Sequence, residues 1–261
     1  VPPIPALATV AKGLGPFPVP KTQVAIHQFW AFKRSVGVPT MPSVALQIHA
    51  LSAYPYLKQL IEKTGGTASQ PLESSVRARE VQKFMRSLRL VFSKNPKLGG
   101  MLKAMLANKN LDVPSDKIPL LQALIGLYEG EDHRYLNFYG PPGSIATIPY
   151  HLLADDPNVD PGANLPDLTG KVVFVGFSDL YDPGQPDRFY TVFTNEDGVD
   201  LSGIEIAATA YANLLTNSCL RTLGMAGEIL IVAAFGGIIA AIAYLLPAIA
   251  GVPLTLILAG G

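Results

Sequence analysis

One feature limits this chain more than any other: after Arg221 the only charged side chain is Glu228. From Ile229 to the end the sequence reads "ILIVAAFGGIIAAIAYLLPAIAGVPLTLILAGG". As a single helix that stretch would be about 50 Å long, well beyond a hydrocarbon core of about 30 Å. Pro247 and Pro253, around "PAIAGVP", are where such a helix must break. The tail therefore predicts one transmembrane helix over residues 225–246, a tight turn, and the start of a second over 248–261. A buried hairpin in a water-soluble core would need a polar face, and Ile229 to Leu246 offers none.

Everything before Arg221 has the composition of a water-soluble fold, and it carries every lysine and arginine but that one. Because the chain opens on "VPPIPAL" without a methionine, it reads as a piece of a longer protein. One cysteine, Cys219, excludes an internal disulfide framework and a cysteine-based metal cluster. Net charge is zero, but it is unevenly spread. Glu73 to Lys109 holds nine basic residues against two acids, and Asp155 to Glu205 holds eleven acids against two bases. That balance argues against a nucleic-acid partner. A solvated basic helix face is the simpler reading, with attraction to anionic lipid headgroups next.

The pattern alternates strands and helices. "KTQVAIHQFWAF" predicts a strand and "SVALQIHALSAY" a helix. Between Leu72 and Lys109, Val81, Phe84, Met85, Leu88, Val91 and Phe92 recur at helical spacing, with a break at "KNPKLGG". "RYLNFYG" predicts a strand ahead of the turn "PPGS". The apolar run "KVVFVGF" predicts a central strand covered on both faces. "LSGIEIAATAYANLL" opens like a capping box, Ser202 accepting from the backbone and Glu205 reaching back. Ile204, Ala208, Tyr211 and Leu215 would then line its apolar face. The fold class expected is α/β, a mixed sheet with flanking helices, followed by a transmembrane helical hairpin.

Catalytic motifs fail on spacing. "VGFSDL" resembles a nucleophile elbow, but Leu180 stands where glycine is needed, and Pro183 and Pro186 follow where a helix should start. His27, His49, His133 and His151 all precede Ser178, against the order of that triad. "TGK" precedes its strand instead of following it, so it is no phosphate loop. "NEDGVD" lacks the ligand spacing of a calcium loop. No catalytic residue, metal site or cofactor is expected. The loop beyond the apolar run is still where α/β sheets place ligands. Candidate ligand contacts are Tyr139, Ser178, Asp187 and Arg188, the last two alternatively an ion pair.

In series, "LNFYGPPGSIATIPYHLLA", "LTGKVVFVGFSDLYDPGQPDRFYT" and "SGIEIAATAYANLL", followed by apolar helices, resemble the CHASE-type sensory domain, class two. "PPIPALATVAKGLGPFPVP" and "MPSVALQIHA" are similar to its middle section. The resemblance covers most of residues 1–220, leaving the family's N-terminal third and leading membrane helix outside the sequence. Residues 62–130 look like a helical insertion. A histidine common in the family two places after the glutamate is Ala207 here.

The resemblance implies the extracytoplasmic input domain, residues 1–221, of a bacterial multi-pass membrane receptor. Output would lie in a cytoplasmic adenylate or guanylate cyclase, or else in a histidine or Ser/Thr kinase. Signal-transmitting positions would include Glu205 and Arg221. Ala233, Gly237 and Ala241 form a small-residue face for helix packing. Expected partners are a small-molecule or peptide ligand, the lipid bilayer and a second copy of the chain. The rival reading is a membrane-tethered hydrolase using Ser178.

Overall fold

"HQFWAFK" forms two short strands, β1 (Gln28–Trp30) and β2 (Phe32–Lys33), in a computed structural model. The structure describes residues 10–19, 25–33, 37–72, 77–108, 113–152, 166–178, 187–194, 200–221 and 223–245. The chain divides into two units, Val1–Leu220 and Arg221–Gly261.

In the first unit β2 turns through Gly37, at φ +59°, into β3 (Val38–Pro39). β1 pairs antiparallel with β4 (His133–Tyr135), Phe29 facing Arg134. β5 (Arg188–Phe189) pairs antiparallel with β6 (Leu201–Ser202). Among the described residues the expected mixed sheet is thus three two-stranded antiparallel ribbons. Helices supply the core instead.

Three of those helices start the same way. α1 (Met41–His49), α2 (Tyr54–Lys63) and α5 (Ile118–Glu129) each carry proline in the first turn. There the missing N–H costs nothing and the fixed φ suits the helix. The Thr40 hydroxyl donates to the carbonyls of Trp30 and Ala31, and Ser43 donates to Ala31, binding the head of α1 to the strands. α3 (Ala78–Lys94) buries Val81, Phe84, Met85, Leu88 and Phe92, as the periodicity predicts, and Val91 packs at their margin. It ends at Asn95-Pro96, and α4 (Leu98–Ala107) follows.

α5 is the hub. From Leu121 every residue through Tyr128 except Gln122 is buried, and α1, α2, α3, α4 and α6 (Gly203–Thr216) all pack on it. The rings of Phe32 and Phe92 lie 6.0 and 5.8 Å from Tyr128, whose hydroxyl donates to Gln47 Oε1 at 2.6 Å. Arg89 closes this cluster. It donates to the Tyr128 carbonyl, pairs with Asp132 at 3.1 Å and stacks over Phe32.

Buried phenols make the first unit sensitive to alkali. Burial pushes Tyr211 up to about 12 and raises Tyr54 and Tyr128 as well, Tyr54 with help from Glu62. Unfolded tyrosines release their protons near pH 10, while the folded ones hold theirs. Their contribution is therefore complete below about pH 10 and is lost as pH rises through 10 towards 12. Urea midpoints should hold steady from pH 8 to 9.5 and fall steeply above 10. Tyr128→Phe should be less stable at pH 8 yet show a shallower alkaline fall; an unchanged slope would remove Tyr128 from the account.

Two expectations are corrected. "KVVFVGF" is neither helix nor strand, and it joins no strand ladder among the described residues. Val172 and Phe174 pack against the core while Val173, Val175 and Phe177 are exposed, so one face is covered and not two. The α6 stripe also differs. Ile204, Ala208 and Leu215 are only partly buried, and Ile206, Ala207, Ala210 and Leu214 are the inward residues together with Tyr211. A helix packed on several sides has no single apolar stripe to read.

The second unit contains α7 (Met225–Leu245). Its window Met225–Ile242 has a mean hydropathy of 2.2, and none of that window is buried. Ile229, Leu230, Val232 and Ile238 are all exposed. By length and composition this helix is long and apolar enough to cross a membrane. Residues 248–261, the expected second helix, lie outside the described residues.

Candidate functional site

α6 gathers the sequence-predicted contacts. Ser202 is its N-cap, and its Oγ accepts from the Glu205 N–H at 3.3 Å. The other half of the expected capping box does not form. Glu205 turns away, and its Oε1 accepts from the Gly143 N–H at 2.8 Å. Gly143 sits at φ +83°, a conformation glycine adopts without a Cβ penalty, so "PPGS" can present that amide. Glu205 is buried, and its Oε2 has no hydrogen-bond partner.

Asp187 meets the same helix end. Its carbonyl accepts from the Gly203 N–H at 2.9 Å, and a Cβ at Gly203 would collide with its carboxylate. That puts a negative charge at the first residue of α6, where unpaired amides favour an anion. Among the described residues Asp187 forms no ion pair, so the expected pairing with Arg188 is not seen there. Arg188 lies in β5, opposite Ser202 in β6.

Two turns along α6, Asn213 is fully buried. Its Oδ1 accepts from the Asn137 N–H at 2.7 Å, and its Nδ2 donates to the Asn137 carbonyl at 3.0 Å and to Tyr139 Oη at 3.3 Å. Glu205 and Asn213 together hang residues 137–143 on α6. This explains why "RYLNFYG" leaves the strand after Tyr135: its backbone groups are claimed by a helix. Tyr139 keeps an exposed ring.

The segment 172–178 runs beside the same helix. Phe174 lies 5.5 Å from the Tyr211 ring, and a Cβ at Gly176 would come within 2.9 Å of Ile204. Since Ile204 is in the first turn and Tyr211 in the third, the segment points Ser178 towards the head of α6. General-base activation of Ser178 would require a base in hydrogen-bond reach. Its hydroxyl has no hydrogen-bond partner among the described residues, and residues 179–186 lie outside them.

Thus Asp187 and Glu205 meet at the head of α6, with Ser178 directed to the same end. Tyr139 lies further along the helix at Asn213, and Arg188 sits in β5 opposite the N-cap Ser202. Asn213 is the residue that sequence reasoning missed. Its signal was a carboxamide in an apolar helix, where asparagine is a poor helix former unless its side chain has a partner. Three histidines, His27, His49 and His133, are each engaged with an aromatic ring. His27 stacks on Tyr135 and His133 lies against Trp30, both at 5.7 Å, and His49 Nδ1 is hydrogen-bonded to the Tyr211 hydroxyl at 2.8 Å. Among the described residues no group of three or more His, Cys, Asp or Glu could hold a metal ion.

Arg221, the first residue of the second unit, is exposed. Ala233, Gly237 and Ala241 fall on one face of α7, and nothing lies within 4 Å of a Cβ built at Gly237. That face is open to a neighbouring helix or to lipid.

A family model for the CHASE2 domain matches residues 32–243, from β2 almost to the end of α7. No curated protein and no solved structure matches the chain.

Proposed function

The chain belongs to the CHASE2 family of extracytoplasmic sensory domains of receptors, and from that premise we propose that it passes a stimulus through α7 to a cytoplasmic adenylate or guanylate cyclase. The observation that carries this reading is α6. The helix that anchors the 137–143 loop through Glu205 and Asn213 is also the one joined by residues 217–224 to α7. A ligand that shifts or rotates α6 by an ångström or two would act on a rigid helix with a short connection ahead of the bilayer. A second copy of the chain, packed through Ala233, Gly237 and Ala241, would convert that shift into a change in how two output domains meet.

The topology is tested by labelling spheroplasts that produce the protein in its natural sequence context. With Cys219→Ala and Thr169→Cys, a membrane-impermeant maleimide should label intact spheroplasts. Labelling that appears only after lysis would place residues 1–220 inside the cell and overturn the reading. Membranes from the same cells should form cyclic AMP or cyclic GMP; phosphotransfer from ATP without cyclisation would assign the output to a kinase instead.

A further inference from the structure

A second part of the first unit carries a binding site that the predicted contacts do not touch. Between the ends of α1, α5 and α6, with α4 at its edge, lies a cleft of about 730 Å³. That is the size of sites that enclose small organic ligands. We propose that this cleft is the ligand site of the sensor and that it takes an uncharged, hydrogen-bonding small molecule of the sugar or nucleoside class. The proposal rests on the sensory reading above.

The charge argument is direct. Lys103 and Asp116 are the charged residues of the lining, and each is already neutralised, Lys103 by Glu129 and Asp116 by Lys117 at 3.1 Å. A charged ligand would have to compete with those pairs. The two carboxamides left over are neutral. The carboxamides of Gln122 and Asn217 have no hydrogen-bond partner among the described residues, and each can both donate and accept. His49 is fixed through Nδ1 to Tyr211, which leaves Nε2 for another partner. Leu120, Ala123 and Leu215 supply apolar surface beside them. Carboxamides that donate and accept, next to an apolar wall, match hydroxyl- or amide-bearing molecules with an apolar face.

Two residues at the cleft fix the position of its amide. Asn217 closes α6 at φ +56° and is the only non-glycine at positive φ among the described residues. Glycine is the cheaper residue there. Gly126 lies in the buried middle of α5, where alanine is the better helix former. A Cβ at Gly126 would collide with the Asn217 carboxamide. The two belong together: the missing side chain at Gly126 leaves the room in which the Asn217 amide is held at this spot. The cleft also touches the last turn of α6 through Leu215 and Thr216, directly ahead of the connection to α7. A ligand here would brace the end of the transmitting helix, whereas Asp187 and Glu205 lie at its head.

The test uses the full chain in detergent micelles and saturation-transfer NMR. Glucose, N-acetylglucosamine and uridine are the uncharged probes; glucose 6-phosphate, glutamate and spermidine are the charged ones. Asn217→Gly is the decisive variant, because glycine keeps the helix cap while removing the amide. At least one uncharged probe should bind, and its Kd should weaken fivefold or more in Asn217→Gly with Tm unchanged or higher. Gln122→Ala should weaken the same probe, again without loss of Tm. Absence of binding by all three uncharged probes, preference for a charged probe, or equal binding by Asn217→Gly would each overturn the assignment. Occupancy is read without any output. Binding that leaves cyclic-nucleotide synthesis unchanged would therefore sink the coupling to a cyclase alone, and a response to a probe that ignores this cleft would sink the site alone.

Discussion

Replacing Asn213 by alanine is expected to destabilise the first unit by about 3 kcal/mol and to free the loop around Tyr139. The side chain is fully buried and makes three hydrogen bonds, two of them to the backbone N–H and C=O of Asn137. Alanine removes the partners and leaves both backbone groups in a partly enclosed site. A group stranded in this way costs about 1–3 kcal/mol. For a unit of this size the loss corresponds to a fall of about 10 °C in Tm. Hydrogen exchange at the amides of residues 137–143 should accelerate well beyond the global change. Asn213→Asp keeps the acceptor for the Asn137 N–H but loses the donor to its carbonyl and buries a carboxylate against it, so it should be at least as destabilising as alanine. Glu205→Gln is the contrasting case. It keeps an acceptor for the Gly143 N–H and should stay close to wild type in Tm. A loss below 1 kcal/mol for Asn213→Ala would show that water replaces the amide freely and that α6 does not hold the loop.

Such a residue was hard to see in the sequence for a physical reason. Periodicity reports which positions shun water, so the apolar positions of α3 were legible and its interruption at "KNP" could be placed. It does not report what covers them. "KVVFVGF" is apolar at every position, which equally suits a strand enclosed on both sides and one lying on a helix with its other face open. Capping patterns carry the same ambiguity. Ser202 performs its half because its partner is three residues away, whereas Glu205 finds the Gly143 amide, 62 residues distant in sequence. A local motif is overruled where a tertiary partner competes for the same side chain.

The candidate sites divide along similar lines. Reading a sequence for chemistry weights charged and nucleophilic residues, which selected Ser178, Asp187 and Arg188. Three of the side chains that organise this fold and its cleft are carboxamides, Asn213, Gln122 and Asn217, and amides carry no signature outside their context. The structure gives two of them away through their surroundings: a buried amide bridging a loop, and a glycine that clears space for another.

The membrane reading rests on α7, and one substitution there should change its behaviour most. Phe235 lies at the middle of Met225–Leu245, half-exposed on a helix whose apolar side chains face outward all round. An arginine at the centre of a spanning helix costs about 3 kcal/mol on the translocon scale. That is about 100-fold in the ratio of inserted to uninserted segment. In a microsomal insertion assay on residues 225–245, the wild-type segment should insert almost completely and Phe235→Arg should insert at a small fraction of that level. Met225→Arg should have little effect, because an arginine at the helix end can carry its charge out to the interface along an apolar stem. This pair separates span from surface. A helix lying along the membrane, or one covered by protein, would show no dependence on depth, and the two variants would then behave alike. Equal insertion by Phe235→Arg and Met225→Arg would therefore remove α7 as the crossing element and, with it, the route by which α6 is taken to signal.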